Sequence, residues 1–310
     1  MPGILTLTMN PALDVHTSVP QLMPTEKMRC GVPRYDPGGG GVNVARALVS
    51  LGTAAAAVVT SGGHSGAHLR ALLANDGVEV HAVSIAEPTR ESMTITEQWT
   101  DNQYRFVLPG PVLRMPEERR CLRVVDQNLP TDGYLVVSGS MPPGCSGAFF
   151  TRIATIAARH NCRIIVDTSG PALRHVTNAH LLKPSIRELR DHVGAALADR
   201  RSQVAASRDL IAAKVCEIVV ISLGRGGALL VTADSATDYD GIPVPSGTGV
   251  GAGDNMVAAI TYGLAREWTL IEAVRFGTAA GAATLLTPGT QPAERAEVDR
   301  LYARAVAEAA

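Results

Sequence analysis

Residues 36–46 read Asp-Pro-Gly-Gly-Gly-Gly-Val-Asn-Val-Ala-Arg, and the place of this run in the chain decides between two kinds of α/β fold. Four consecutive glycines have no side chains to pack, so a ligand can come close to the backbone. The segment behind them, Val42 to Leu51, has helical periodicity, and a helix starting there offers free N–H groups and a positive dipole end. A dinucleotide-binding fold would set such glycines directly after the first strand, with an acidic residue further on. Here the first strand-like run, Ile4 to Met9, leads instead into Asn10-Pro11-Ala12-Leu13-Asp14, and the glycines come much later. A plain flexible loop would also explain them. With Asn43 one turn into the helix, a hydroxyl-rich ligand fits better.

Outward from this run the chain alternates. Ile4 to Met9, Ala55 to Thr60, Tyr134 to Ser138, Arg163 to Asp167 and Glu217 to Ser222 read as buried strands, and His180 to Leu182 is strand-like. Helical patterns separate them, among them Gly147 to His160 and Ser202 to Val215. That order predicts an α/β fold with a mostly parallel sheet and helices on both faces. Two stretches break the order. Val15 to Tyr35 has polar and proline interruptions between strand-like ends. Ser92 to Val107 alternates as a hairpin about an Asp101-Asn102 turn. These pieces, about 15–35 and 91–108, predict a small β appendage over the carboxyl edge of the sheet; an antiparallel extension of the main sheet is the alternative. No repeat or linker divides the chain, so residues 1–310 read as one domain.

Composition excludes several classes. The 310 residues carry a net charge of −1, with 46% hydrophobic and 18% charged residues. That balance supports neither a nucleic-acid nor a membrane partner, and any anionic ligand must be held by a few placed cations. The five cysteines are scattered and form no CxxC, which predicts reduced thiols and a cytoplasmic protein. The N-terminus shows no signal-peptide pattern, and no apolar run is long enough to span a bilayer.

The strongest chemical signal is Thr248-Gly249-Val250-Gly251-Ala252-Gly253-Asp254-Asn255-Met256, followed by a helical pattern. Small residues at a helix start leave the N–H groups of Gly251, Ala252, Gly253 and Asp254 open, as an anion hole for a transferring phosphoryl group. A carboxylate beside phosphate needs a task, and taking the proton of an attacking hydroxyl is the obvious one. A plain helix N-cap is the bland reading of Asp254. Ser222 to Gly227 (Ser-Leu-Gly-Arg-Gly-Gly) lies between two apolar strands, as a hairpin turn or a nucleotide loop at a strand's carboxyl end. Glu188, after Lys183-Pro184-Ser185, reads equally as a water-mediated magnesium ligand or as a solvated helix carboxylate. There is no Walker A lysine loop and no protein-kinase signature. His64 and His68 share a helical face without a third ligand, which marks them as surface residues.

With both glycine motifs in hand, the chain resembles the ribokinase-type sugar kinases, and among them the B-type phosphofructokinases. The likeness runs from TLTMNPALD at residue 6 to TPGT at residue 287, through EKMRC, DPGGGGVNVARA, QYRFVLPG, SGSMPPG, VDTSG, LKPSIREL, VVISLGRGGAL and VGAGDNM. It implies a ribokinase-like three-layer α/β/α fold with a small β-sheet lid, and ATP-dependent phosphorylation of fructose 6-phosphate at O1 with magnesium. Kinases of fructose 1-phosphate or tagatose 6-phosphate, and a non-catalytic sugar-phosphate sensor, remain as alternatives.

Residue by residue, the resemblance places Asp254 as base, with Gly251, Ala252 and Gly253 around it. Asp14, Gly39, Gly40 and Asn43 go to the sugar hydroxyls, Lys27 and Arg90 to its phosphate, and Ser138 and Ser140 beside it. Arg105 would reach a neighbouring subunit's site in a homodimer joined through the lid. Lys183, Ser185, Ser222, Gly224, Gly227 and Ser246 would line ATP. Thr248, Val250, Thr284, Thr287 and Gly289 match a monovalent-cation site, potassium in the family. The chain departs from the family pattern at Ser185, Gly249, Asn255, Thr287 and Gln291, where asparagine, threonine, serine, asparagine and arginine respectively are usual.

Overall fold

The apolar runs lie side by side. The computed structural model describes residues 2–245 and 249–308, and among them thirteen strands form two separate sheets. The strands are β1 (Ile4–Thr8), β2 (Ala12–Val19), β3 (Arg34–Gly38), β4 (Ala56–Ser61), β5 (Glu79–Ser84), β6 (Arg90–Glu97), β7 (Asn102–Val107), β8 (Tyr134–Ser138), β9 (Arg163–Asp167), β10 (Ala179–Leu182), β11 (Cys216–Ser222), β12 (Ala228–Val231) and β13 (Ala236–Tyr239). The helices are α1 (Gly40–Ser50), α2 (Gly63–Asn75), α3 (Met115–Asn128), α4 (Phe149–Arg159), α5 (Ile186–Val193), α6 (Arg200–Ala212), α7 (Ala252–Leu264), α8 (Leu270–Ala283) and α9 (Arg295–Glu308).

The large sheet has the order β13-β12-β11-β10-β9-β8-β1-β4-β5. It is parallel except at β12 and β13, which pair antiparallel at one edge. Side chains alternate across it into two cores. Val136, Ile165 and Val220 face α1, α2, α7, α8 and α9, whereas Leu135, Val137, Val166 and Ile221 face α3, α4, α5 and α6. Burial on both faces explains why these strands read as continuous apolar runs. None of the described helices is long and apolar enough to cross a membrane. All five cysteines are unpaired.

The interrupting stretches form their own four-stranded sheet, β3-β2-β6-β7, and do not extend the main one. β2 and β6 run parallel in its centre, and β3 and β7 flank them antiparallel. Its register puts most of the charged residues on one face. That face carries Asp14, His16, Arg34, Asp36, Arg90, Ser92, Thr94 and Arg105, with Val107 beside Ser92; the other carries Leu13, Val15, Tyr35, Met93, Ile95, Tyr104 and Phe106, with Glu91 and Glu97 among them. Two boundaries differ from the sequence reading. The first stretch pairs from Ala12 to Gly38, so Asp14 and the first glycine of the run lie in strands. The hairpin turns at residues 98–101, where Asp101 takes a left-handed φ of 56°, and Asn102 already pairs with Glu97.

Candidate active site

Parallel pairing brings the carboxyl ends of β1, β8, β9 and β10 into line, the edge where open α/β sheets bind ligands. Both glycine motifs converge there. Helix α1 begins directly after Gly39, and α7 begins directly after Gly251, whose left-handed φ of 78° suits glycine without strain. The glycines of the first run are explained by close approach within the protein. A Cβ at Gly38 would collide with the carboxylate of Asp14, and one at Gly40 with the hydroxyl of Ser138.

Asp254 sits in the first turn of α7. Asn43 Nδ2 donates to its Oδ2 at 2.8 Å and Ser138 Oγ donates to its Oδ1 at 3.3 Å, so α1, β8 and α7 are fastened together at this carboxylate. Burial first, then the neighbouring carboxylate of Asp167, raises Asp254 to about 7, against those hydrogen bonds and the ammonium of Lys183. Asn43 Oδ1 is buried without a partner, an acceptor open to a hydroxyl donor. The N–H groups of Gly253 and Asp254 belong to the unpaired first turn of a helix.

Beside this turn lies an ion pair. Lys183 Nζ is 3.1 Å from Asp167 Oδ2, with the side chains 5% and 13% exposed. A Cβ at Gly253 would stand 2.9 Å from that ammonium, so the glycine lets Lys183 reach the turn. Burial opposes the charge on Lys183, but Asp167 and Glu188 hold its pKa above the ordinary lysine value. Glu188 is a helix cap. Its Oε2 accepts from Ser185 N at 2.7 Å and from Ser185 Oγ at 2.8 Å, and Ser185 Oγ accepts from Glu188 N. Serine caps a helix as asparagine does. Ser185 bridges to Ser222, and Ser222 to Gly227 form the expected hairpin turn between β11 and β12. Gly227 is required by β13, where a Cβ would strike the Tyr239 carbonyl; Gly224 faces open space.

The polar face of the second sheet supplies cations. Burial raises Asp14 to about 6, opposed first by the charge of Arg105 and then by that of Arg90. Arg90 donates to the carbonyls of Leu108 and Asn10, each at 3.2 Å, and its Nε is buried without a partner. Asn10 Nδ2 in turn donates to Ser140 Oγ at 3.1 Å. Lys27 stands apart: it is exposed on the connection between β2 and β3, and its ammonium makes no ion pair or hydrogen bond among the described residues.

Of the residues matched to a cation site, Thr284, Thr287 and Gly289 share one loop, and Val250 precedes the Gly251 turn. Ser246 and Thr248 lie outside the described residues. Thr287 Oγ1 lies 2.9 Å from the carbonyl oxygens of both Thr284 and Gln291, and its single proton is donated to one or the other of them. Among the described residues no three His, Cys, Asp or Glu side chains converge on a metal position.

Sequence reasoning passes over Asp167 and Arg46. Asp167 ends a strand in VDTSG, and an acidic residue at the edge where ligands bind is its only signal. Arg46 lies within the glycine-run motif but carries no motif of its own.

A helix start with unpaired N–H groups, a buried carboxylate with raised proton affinity and an ammonium beside it, at the carboxyl edge of a parallel sheet, fit a small-molecule kinase. Comparison with known proteins agrees. The model of the pfkB family of carbohydrate kinases matches residues 7–296, and this chain belongs to that family. It is 50% identical over 302 residues to the ATP-dependent 6-phosphofructokinase isozyme 2 of Mycobacterium tuberculosis, covering 97% of this chain and 89% of that one. The crystal structure of phosphofructokinase-2 from Escherichia coli in complex with potassium superposes with a TM-score of 0.94 at 38% identity, covering 99% of this chain and 100% of the other. The same enzyme in complex with fructose-6-phosphate gives 0.92 at 37% identity, with the same coverage.

Proposed function

We propose that this chain is an ATP-dependent 6-phosphofructokinase, transferring the γ-phosphoryl group of ATP to O1 of fructose 6-phosphate. The observation that carries the reading is the convergence of Asn43 and Ser138 on Asp254 at the start of α7, where sugar-binding and phosphoryl-binding elements meet. Asp14, Gly39, Gly40 and Asn43 hold the sugar hydroxyls, and Arg90 and Arg105 hold its phosphate. Asp254 takes the O1 proton as O1 bonds to the γ-phosphorus. The bond from that phosphorus to the β,γ-bridging oxygen breaks, and ADP leaves. The N–H groups of Gly251 and Gly253 and the ammonium of Lys183 face the charge that develops, whereas the Ala252 N–H, expected to be open, already donates to the Gly249 carbonyl at 3.3 Å. Ser222 and Gly224 border the nucleotide. Glu188 would hold magnesium through water, with the oxygen not used in capping, and the ion would supply neutralisation of phosphate charge. The Thr284 to Gly289 loop with Val250 would hold potassium. The second sheet acts as a lid, excluding water that would otherwise hydrolyse ATP.

The test is turnover with fructose 6-phosphate, fructose 1-phosphate and tagatose 6-phosphate, compared by kcat/KM. The highest value is expected for fructose 6-phosphate, and ATP turnover with none of the three would reject the reading in favour of a sensor. Arg105→Ala is expected to raise the KM for fructose 6-phosphate by about 10- to 100-fold, the worth of one charge-assisted hydrogen bond, and to leave the KM for ATP unchanged.

The lid is also the proposed dimer interface. Tyr104 and Phe106 on the face opposite Asp14 are 38% and 49% exposed, and Trp99 in the hairpin turn is 75% exposed, large apolar side chains of the kind that mark an interface. Placing a charge there, with Phe106→Asp, should halve the mass measured by sedimentation equilibrium. An unchanged mass would move the interface elsewhere. Lys27, exposed on the connection between β2 and β3, would meet the sugar phosphate from that connection.

A further inference from the structure

Segment 289–293, between the last turn of the 284–286 helix and α9, is held by side chains from the very elements that build the site. From α1, Arg46 is 5% exposed. Its Nη1 donates to the Thr290 carbonyl at 2.8 Å and to the Pro37 carbonyl, at the head of the glycine run, at 3.3 Å. Its Nε is fixed by Asp76 Oδ2 at 2.6 Å. One turn along α1, Ser50 Oγ donates to the Ala293 carbonyl at 2.7 Å.

From α7, Asn255 is 4% exposed and uses both ends of its amide. Its Nδ2 donates to the Gly251 carbonyl at 3.0 Å, and its Oδ1 accepts from Ala293 N–H at 3.1 Å. From β3, Arg34 lies so close over Gly289 that a Cβ there would collide with its guanidinium.

Burying a guanidinium and an amide costs free energy that apolar side chains would not cost, unless every polar atom is satisfied. What these groups supply is a defined geometry. We propose that residues 289–293 form a strap that sets the spacing of the first turns of α1 and α7, with Arg46 and Asn255 as its positioning residues. Arg46 fixes the glycine run that faces the sugar, and Asn255 fixes the turn that carries Asp254. The proposal rests on the reading of that site as the kinase centre.

The departure at position 255 follows from it. A serine there has one oxygen, able to bond back to Gly251 but too short to reach Ala293 as well. Asparagine spans both. The 2.8 Å contact between Asn43 and Asp254 is then held from behind as well as by helix packing, and misplacement of a reacting group by an ångström costs about 100-fold in rate.

The test uses the full chain with Asn255→Ser, Arg46→Lys, their double variant and Ser50→Ala, which removes one surface-side hydroxyl. Kinetics with fructose 6-phosphate and ATP are read beside hydrogen exchange of the Ala293 amide and of the amides of residues 249–254. Asn255→Ser is expected to lower kcat about 10- to 100-fold with both KM values near the parent's. Arg46→Lys should raise the KM for fructose 6-phosphate several-fold. In kcat/KM for fructose 6-phosphate, the one quantity both changes lower, the double variant should lose less than the product of the two single losses, because cutting a strap at its second end changes little once the first is cut. Ser50→Ala should lower kcat in the same direction by about 2- to 5-fold, a smaller loss for one neutral hydrogen bond. Parental kcat in Asn255→Ser despite faster exchange at Ala293 overturns the proposal, as do strictly multiplicative losses in the double variant. If Asn255→Ser or Arg46→Lys fails to fold, parental kcat in Ser50→Ala overturns it. If the parent enzyme turns over no phosphosugar, the site reading fails, and exchange alone decides the strap: Asn255→Ser must loosen Ala293 and residues 249–254 together.

Discussion

Asp254→Asn is expected to bind ATP as the parent does and to turn over about 100- to 10,000-fold more slowly, the range a positioned general base contributes. The amide keeps the size of the carboxylate and the contact with Ser138, so the fold is not at issue. What disappears is the acceptor for the O1 proton. The pH profile supplies a second readout of the same group. Asp254 is raised to about 7, chiefly by burial and then by Asp167. A base acts only when deprotonated, so kcat/KM should climb with pH through about 7 and level off above it. Below that pH the carboxyl holds its own proton and cannot take one from the sugar. In Asp254→Asn the residual activity should lose this limb. Near-parental turnover in the purified variant, or the same acidic limb persisting in it, would remove Asp254 from the base position.

Lys183→Met should be the most damaging change to stability and to turnover together. It deletes the ammonium 3.1 Å from Asp167 and leaves that carboxylate, 13% exposed, with no cation beside it. Breaking a buried pair in this way costs about 3–5 kcal/mol, read as a lower midpoint of thermal unfolding. Turnover falls as well, because the same ammonium reaches the Gly253 turn where phosphoryl charge would develop. A double variant, Lys183→Met with Asp167→Leu, separates the two effects. With both charges replaced by apolar groups, stability should return to near the parent's, as it does for other buried pairs, while turnover stays low. A single variant with the parental midpoint would show that the pair contributes nothing to the fold. Parental turnover in the double variant would show that it contributes nothing to the reaction.

Much of the fold is legible in short-range pattern. Apolar runs buried on both faces, such as Tyr134–Ser138, announce a parallel sheet, and helix-length segments between them announce its covering layers. The alternation of Ser92 to Val107 announces a hairpin, since period two sends neighbouring side chains to opposite faces. The Gly251 to Asp254 turn is legible too, because a helix start built from small residues has few purposes. These features depend on residues a few positions apart, and local geometry is enough to read them.

Partnership across the chain is different. That the hairpin joins β2 in a separate sheet depends on Ala12 pairing with Arg90, a contact no local pattern encodes. Glu188 reads equally as a metal ligand or a solvated carboxylate in the sequence, and only the bonded Ser185 shows that one of its oxygens is committed to the capping box of α5. The hairpin turns slightly earlier than the Asp101-Asn102 pair suggests, because Asn102 is drawn into the ladder opposite Glu97 and the left-handed residue is Asp101. Asp167 and Lys183 become a pair because β9 and β10 are neighbours, and Arg46 and Asn255 meet one strap because α1 and α7 pack together. The sequence by itself determined the class of fold and the aspartate at its centre, through patterns that hydrophobic burial and helix termini impose locally. Only the tertiary structure decided which charges stand beside that aspartate, because burial and proximity, which set proton affinity and charge pairing, exist only once distant segments are packed against each other.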